Sequence, residues 1–354
     1  MWKPNHKKFL QFIDFIRKLP PLRLLLAISY LLLASLYPGQ NPLQRTVLHP
    51  GVVRGVTLPQ LPLTLYPQSD GTSLPPTSAK SIVIQDLTSK TILYSRNPDT
   101  RVLPASTTKI MTALVALDTW PDLSTVITVQ NEDRAIGQTI SLIKGEQLTI
   151  QSLLYGLLVH SGNDASLALA DNHPGGYAGF VTAMNKKAKE LHLDNTVYKN
   201  PSGVEQYGHV TTARDLAVLA SVAINNPQIA DIVATRQITI FDVTQTHSHY
   251  LESTNELLGI LPGLRGLKTG WTENAGECLV SYVERDGNAL IFVVMGSADR
   301  FGDTTALVDW AYSHHQWLVP TLWWIVLYLH QLNNSVMSQL TTGQLDPGKP
   351  VKAV

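Results

Sequence analysis

Pro104-Ala105-Ser106-Thr107-Thr108-Lys109-Ile110-Met111-Thr112-Ala113-Leu114-Val115-Ala116-Leu117 reads as a buried helix that starts near Ser106. Ile110, Leu114 and Leu117 recur at helical spacing, Pro104 suits a helix entrance, and no Gly or Pro interrupts the run. Residues three apart share a helix face, so the Lys109 amine lies within reach of the Ser106 hydroxyl. This makes Ser106 a candidate nucleophile and Lys109 its candidate base. The chain carries its own control. Ser141-Leu142-Ile143-Lys144 has the same spacing, but it lies in an alternating run, Thr139 to Ile143, that ends at Gly145. That run is expected to be a strand and turn, and in a strand residues i and i+3 point to opposite faces.

Composition excludes several classes. The 27 basic and 27 acidic residues cancel, so no field favours nucleic acid. The single cysteine, Cys278, rules out an internal disulfide framework, and its apolar surroundings mark it as a small core residue. The 354 residues suffice for one large domain or two smaller ones.

Residues 1–37 carry the pattern of an export signal. Lys3, Lys7, Lys8, Arg17, Lys18 and Arg23 precede an uncharged run from Leu24 to Tyr37. That run is shorter than the roughly 20 residues of a spanning helix. Cleavage as a signal peptide and retention as an anchor stay open, and both put the remaining chain on the outer face of the cytoplasmic membrane. Residues 38–78 contain Pro38, Pro42, Pro50, Pro59, Pro62, Pro67, Pro75 and Pro76 without a hydrophobic period, and are expected to be an extracytoplasmic tether.

The folded region is expected over 79–312. Ser81 to Asp86 and Thr91 to Tyr94 form a hairpin, followed by the Ser106 helix and short strands at Ser124 to Val129 and Thr139 to Ile143. Helices follow at Ser152 to Val159, Ala165 to Asp171, Phe180 to Leu191 and Thr212 to Ile224, with Thr212 and Asp215 placed to cap the last and Pro227 to stop it. Gly266 to Trp271 precedes a second hairpin, Glu277 to Val283 and Leu290 to Met295, turned by Asp286-Gly287. A strand pair, a helical middle and returning strands give an α/β (α+β) fold: an antiparallel sheet flanked by helices, with an inserted helical lobe. Within 313–354, Trp317 to Leu329 is uncharged and apolar, suited either to a membrane interface or to docking on the core.

Two further clusters join Ser106 and Lys109. Ser161-Gly162-Asn163 follows a Leu-rich helix at a turn, and Lys268-Thr269-Gly270 lies in a strand where the glycine admits close approach of another chain. In this order the three motifs resemble the penicillin-recognising serine enzymes. The flanks, among them Asn200-Pro201-Ser202-Gly203, Thr212-Ala213-Arg214-Asp215 and Thr254-Asn255, are similar to the low-molecular-mass D-alanyl-D-alanine carboxypeptidases over about residues 78–312.

The resemblance implies a penicillin-binding-protein/β-lactamase-like transpeptidase fold and an acyl-enzyme on Ser106, formed with release of the terminal D-alanine of a peptidoglycan stem peptide. Lys109 would act as a neutral base, Ser161 as proton relay and Asn163 as a holder of the peptide amide. Lys268 and Thr269 would bind the substrate carboxylate, Gly270 would let the peptide lie along the strand edge, and the N–H groups of Ser106 and Trp271 would form the oxyanion hole. β-Lactams are implied as covalent inhibitors, membrane lipid as a neighbour, and no cofactor. The chain departs from the family at Trp271, where a smaller aromatic or His is usual, and Arg300 matches a substrate-facing arginine only loosely. His247 and His249, or His314 and His315, lack a carboxylate or cysteine set at ligand spacing, so no metal site is expected. The alternatives are an endopeptidase of the same fold and a non-catalytic tethered wall-binding module. A β-lactamase is disfavoured, since no deacylation carboxylate stands out between Ser161 and Lys268.

Overall fold

The structure, a computed structural model, describes residues 65–130 and 135–318. The expected signal segment, most of the Pro-rich segment and the chain beyond Leu318 lie outside the described residues. A five-stranded antiparallel sheet forms the base, in the order β3-β2-β10-β9-β8: β2 is Ser81–Asp86, β3 Ile92–Arg96, β8 Leu264–Thr272, β9 Gly276–Arg285 and β10 Asn288–Ser297. Strand β10 is central and buried on both faces. Ile291, Val293 and Met295 pack with the helical lobe, while Leu290, Phe292 and Val294 pack with Leu307, Val308 and Ala311 of the helix at Arg300–Ser313. Alternation thus places helices on both sides of one sheet, each fully buried aliphatic contributing about 1.5–3 kcal/mol. Cys278 is fully buried on the lobe side of β9.

Both expected hairpins form, and Asp286 and Gly287 take φ of +50° and +75°, as a two-residue primed turn requires. Between β3 and β8 lies the lobe. After a 3-10 turn at Ala105–Thr108 come α1 (Lys109–Thr119), α2 (Ile150–Leu158), α3 (Asn163–Asp171), α4 (Gly176–Glu190), α5 (Ala213–Ile224) and α6 (Pro227–Val233). The Thr212 hydroxyl caps α5 by accepting from Asp215 N–H. The Asp215 carboxylate does not complete the reciprocal cap; it takes the Asn195 N–H at 3.0 Å and the Thr196 hydroxyl at 2.6 Å, tying the α4–α5 connection to the helix. Pro227 stands at the first turn of α6, capped by Asn226, and α6 turns 104° away from α5.

The run Thr139 to Ile143 is not the expected strand. Its backbone donors go to the Asp164 carboxylate, which takes Ile140 N–H and Leu142 N–H at 3.0 Å, and Ser141 adopts φ +61°. The strand of this region is instead β5 (Gln147–Thr149), paired with β4 (Val126–Thr128). A further hairpin of the lobe, β6 (Gln237–Phe241) and β7 (Ser248–Glu252), and the helix at Arg300–Ser313, now α7, were not expected from the sequence. Nor was the pair β1 (Tyr66–Ser69) and β11 (His315–Leu318), which draws part of the expected tether, 38–78, and the start of the expected tail, 313–354, into the fold. Trp317, at the start of the apolar C-terminal run, stacks on Tyr312 and donates its indole N–H to Asp86 at 2.9 Å.

Candidate active site

The 3-10 turn carrying Ser106 is wedged between two elements. On one side β8 crosses it: a Cβ at Gly270 would stand 3.1 Å from Ser106 N and 3.1 Å from the Ala105 methyl, so a side chain there would oblige the Ser106 turn to give by a few tenths of an ångström. On the other, the turn at Asn200 to Gly203 presses on Ala105, which is held at φ +48°. Strain of this kind persists only where the surroundings over-determine it. Its consequence here is to lift Ser106 into a cleft of about 730 Å³ whose lining includes Ser161, Asn163, Thr269, Gly270, Trp271 and Arg300.

Lys109, one turn on, is fully buried below the cleft floor. Its Nζ lies 2.9 Å from Ser106 Oγ, 2.6 Å from Asn163 Oδ1 and 2.7 Å from the Ser202 carbonyl oxygen. Desolvation, then the nearby Lys268 charge, push its pKa well below the ordinary lysine value, against a smaller opposing pull from Asp164. A neutral amine has two hydrogens and one lone pair. The amide and carbonyl oxygens can only accept, so they claim both hydrogens and leave the lone pair for the Ser106 hydroxyl. The geometry therefore fixes the direction of the Ser106–Lys109 hydrogen bond once Lys109 is neutral.

Asn163 begins α3, its Nδ2 donates to the Ile136 carbonyl, and its backbone N–H donates to Gln138 O at 2.7 Å. Ser161 takes φ +65° and faces the cleft without forming any of the three Lys109 bonds. Lys268 is buried behind the cleft wall, donating to Thr269 O at 3.0 Å. Burial and then Arg300 lower its pKa to about 7. The Thr269 hydroxyl is 2.6 Å from that of Thr254, also in the lining. Among the described residues strand β8 pairs only with β9, and its other edge runs along the cleft without a strand partner.

Trp271 is 62% exposed at the cleft rim, so its indole remains available to a bound molecule. The Arg300 guanidinium donates to Gly270 O at 3.2 Å and lies over the Phe301 ring, which places it at the cleft rather than on the outer surface. The sequence reading missed three contributors: the Ser202 carbonyl, the Asp164 carboxylate and Glu205. Glu205 lines the cleft and accepts the Asn274 backbone N–H at 2.9 Å and side-chain N–H at 2.6 Å. A backbone carbonyl leaves no sequence signal, whereas an acidic residue in the first turn of a helix, as at Asp164, does.

Because Lys268 loses protons more readily when folded, the unfolded chain binds more protons between about pH 7 and the ordinary lysine value near 10.5. Stability from this group therefore rises with pH across that window and is lowest below it. Lys268→Met is expected to raise the thermal midpoint at pH 7 by roughly 2–4 °C, with the gain shrinking towards pH 10. A calorimetric series in which the gain stays constant with pH would contradict the burial cost assigned to this ammonium.

The family model described as D-alanyl-D-alanine carboxypeptidase matches residues 68–299. The D-alanyl-D-alanine carboxypeptidase DacF of Bacillus subtilis is 35% identical over 246 residues, 67% of this chain and 63% of the relative. The D-alanyl-D-alanine endopeptidase of Pseudomonas aeruginosa is 34% identical over 236 residues, 65% of this chain and 76% of the relative. Among solved structures, the Streptomyces K15 DD-transpeptidase superposes with a TM-score of 0.64 at 32% identity, covering 68% of this chain and all of that one, 100%. Penicillin-binding protein D2 of Listeria monocytogenes, in its ampicillin-bound form, gives a TM-score of 0.61 at 29% identity, covering 68% and 100%. The match across two thirds of the sequence coincides with the sheet, the lobe and the cleft described above, and on it this chain belongs to the D-alanyl-D-alanine carboxypeptidase family.

Proposed function

We propose that this protein is a serine-type D-Ala-D-Ala carboxypeptidase that removes the terminal D-alanine of peptidoglycan stem peptides through an acyl-enzyme on Ser106. The observation that carries the reading is the Lys109 amine, buried, pKa-lowered and 2.9 Å from Ser106 Oγ, with acceptors for its two hydrogens supplied by Asn163 and Ser202. Lys109 takes the hydroxyl proton as Ser106 attacks the carbonyl between the two D-alanines. Ser161 passes a proton to the departing amine, and Asn163 and the free edge of β8 hold the acyl peptide. Lys268 and Thr269, with Arg300 beside them, receive the terminal carboxylate. The N–H groups of Ser106 and Trp271 stabilise the oxyanion, where losing one donor typically costs ~10² to 10³ in rate. Water then releases the shortened peptide. β-Lactams occupy the same serine as covalent inhibitors.

The reading extends to placement: residues 1–37 direct export or anchor the chain, residues 38–65 tether the domain, and catalysis takes place on the outer face of the cytoplasmic membrane next to its lipid. The decisive experiment is D-alanine release from a D-Ala-D-Ala-terminated peptide, with intact mass after brief benzylpenicillin exposure and mapping of the adduct. Release, with one drug mass on Ser106, supports the proposal. Cleavage confined to cross-linked peptides would favour the endopeptidase, and neither release nor adduct would favour a non-catalytic wall-binding module.

A further inference from the structure

The Ser161-Gly162-Asn163 turn rests on Ile140. A Cβ at Gly162 would meet the Ile140 side chain at 3.0 Å, and one at Gly156 would meet it at 2.5 Å. Ile140 is held through its N–H by Asp164 and through its carbonyl by His249 Nδ1 at 2.8 Å. His249, on β7, is buried, and its Nε2 lies 2.6 Å from Oε1 of Glu146, whose side chain is fully buried. The other Glu146 oxygen, Oε2, accepts the Ile143 N–H at 2.9 Å.

Counting hydrogens gives the state of this pair. The Ile140 carbonyl only accepts, so His249 Nδ1 carries a hydrogen. A contact of 2.6 Å between Nε2 and a carboxyl oxygen needs a hydrogen between them, whether it sits on the ring or on the carboxyl. Imidazole with one hydrogen, facing a carboxylate with none, would bring two lone pairs together in a buried site. From this we infer that His249 and Glu146 are positioning residues joined by one hydrogen held between them, and that this hydrogen bond keeps the loop behind the Ser161-Gly162-Asn163 turn in its catalytic form. The loop in turn presents Ile136 O and Gln138 O to Asn163, whose Oδ1 holds Lys109. Removing either partner of that bond frees Ile140 and loosens Asn163.

Other titratable groups on the elements around the pair are Lys144 on the loop, Tyr155 on α2, Asp164 on α3, Tyr250 and Glu252 on β7, Asp242 and His247 at the hairpin turn, and His160. Among the described residues none of these is hydrogen-bonded or ion-paired to His249 or Glu146; Asp242 holds the His247 N–H, and Tyr250 donates to Gln237.

The inference rests on the acylation chemistry proposed above for its kinetic readout. Glu146→Gln supplies the same two contacts without a titratable proton: its amide N–H donates to a neutral His249 Nε2, and its oxygen accepts the Ile143 N–H. His249→Gln cannot span Ile140 O and Glu146 as the ring does. Benzylpenicillin acylation is followed by intact mass from pH 6 to 10 on the full chain, with ¹⁵N-histidine NMR of the same proteins. The wild type is expected to show hydrogen on both His249 nitrogens, or one shared with Glu146. Glu146→Gln, which keeps both contacts, is expected to acylate as the wild type does, and His249→Gln to be slower by roughly tenfold at every pH, since misplacement of a supporting group by about 1 Å can cost up to 10². A His249→Gln variant as fast as the wild type, a Glu146→Gln variant as slow as His249→Gln, or an NMR spectrum showing no hydrogen between His249 Nε2 and Glu146 at neutral pH, would overturn the inference. If no protein is acylated, the proposed function fails, while the NMR signature still decides the shared proton.

Discussion

Arginine in place of Lys109 will reduce acylation of Ser106 by about 10³, within the range of about 10² to 10⁴ that a general base supplies. A guanidinium stays protonated and has no lone pair to accept the hydroxyl proton. Lys109 escapes that fate because desolvation, then Lys268, lower its pKa, while Asn163 Oδ1 and Ser202 O take the two hydrogens of the neutral amine. The same shift sets the sign of the pH dependence. As pH falls through the lowered folded-state value, the amine gains a proton, the lone pair disappears and acylation is lost. The stability sign runs in parallel. Folding holds fewer protons than the unfolded chain between the folded value and about 10.5, so stability from this group rises with pH over that interval. Benzylpenicillin adduct formation, timed by intact mass on wild type, Lys109→Arg, Lys109→Met and Ser106→Ala, checks it. Circular dichroism shows which variants are folded, and Lys109→Met, smaller and uncharged, covers the case where the bulkier arginine disrupts the site. Acylation of either lysine variant within tenfold of wild type would remove Lys109 from the role of base.

The parts of this site that sequence discloses are those set by local geometry. Ser106 and Lys109 are legible because three residues make nearly one helical turn, and the real Nζ–Oγ distance of 2.9 Å follows from that spacing. The hairpin at Asp286-Gly287 is legible because a two-residue primed turn demands positive φ twice. By contrast, Thr139 to Ile143 alternates like a strand, and nothing local reveals that a carboxylate more than twenty residues later satisfies its donors. Tertiary hydrogen bonding there overrides periodicity. The β6–β7 hairpin did carry a signal, since Ile238 and Ile240 alternate with polar residues and His249 and Leu251 do so opposite them. Helix α7 carried less, with apolar residues spread around it and Gly302 in its first turn. The pair β1–β11 joins chain segments more than two hundred residues apart, and four-residue strands give too short a pattern to read.

The same contrast separates motif from mechanism. Lys268-Thr269-Gly270 is visible as a tripeptide, but how closely its glycine meets the nucleophile's turn appears only when β8 is seen against Ser106 N. Asn200 to Gly203 was visible as a likeness, whereas its work is done by a backbone oxygen. Ser202 O holds Lys109, and Asn200 Oδ1 holds that turn in place by accepting Ser202 N–H at 3.2 Å and Gly203 N–H at 2.8 Å. The lone pair of Lys109 is thus aimed by groups from α3 and from this turn, neither of which is adjacent to it in sequence.

That dependence makes Gly203→Ala the second substitution of large effect. A Cβ at Gly203 would lie 1.9 Å from the Ala105 carbonyl oxygen and 2.5 Å from its carbon, and the backbone there has φ +89°. Both obstacles are main-chain atoms next to the nucleophile, so relief requires the Ser202 turn or the Ser106 turn to move. Either movement pulls Ser202 O from Lys109 or Ser106 from the cleft. The variant is expected to lose about 2–4 kcal/mol of stability, combining overpacking with a left-handed backbone closed to alanine, and at least ~10² in acylation rate. Gly208→Ala is the matched control: its φ is +79°, but its Cβ would meet only the flexible end of Lys199 at 3.2 Å. It bears the backbone cost alone, about 1–2 kcal/mol, and keeps its acylation rate. Denaturant unfolding gives the first quantity and timed penicillin adducts the second. Equal behaviour of the two alanine variants would show that strain at the Ala105–Gly203 contact is not what presents Ser106 to the cleft. A gap in rate larger than the gap in stability would show that the contact acts on the nucleophile itself, beyond its share in holding the fold.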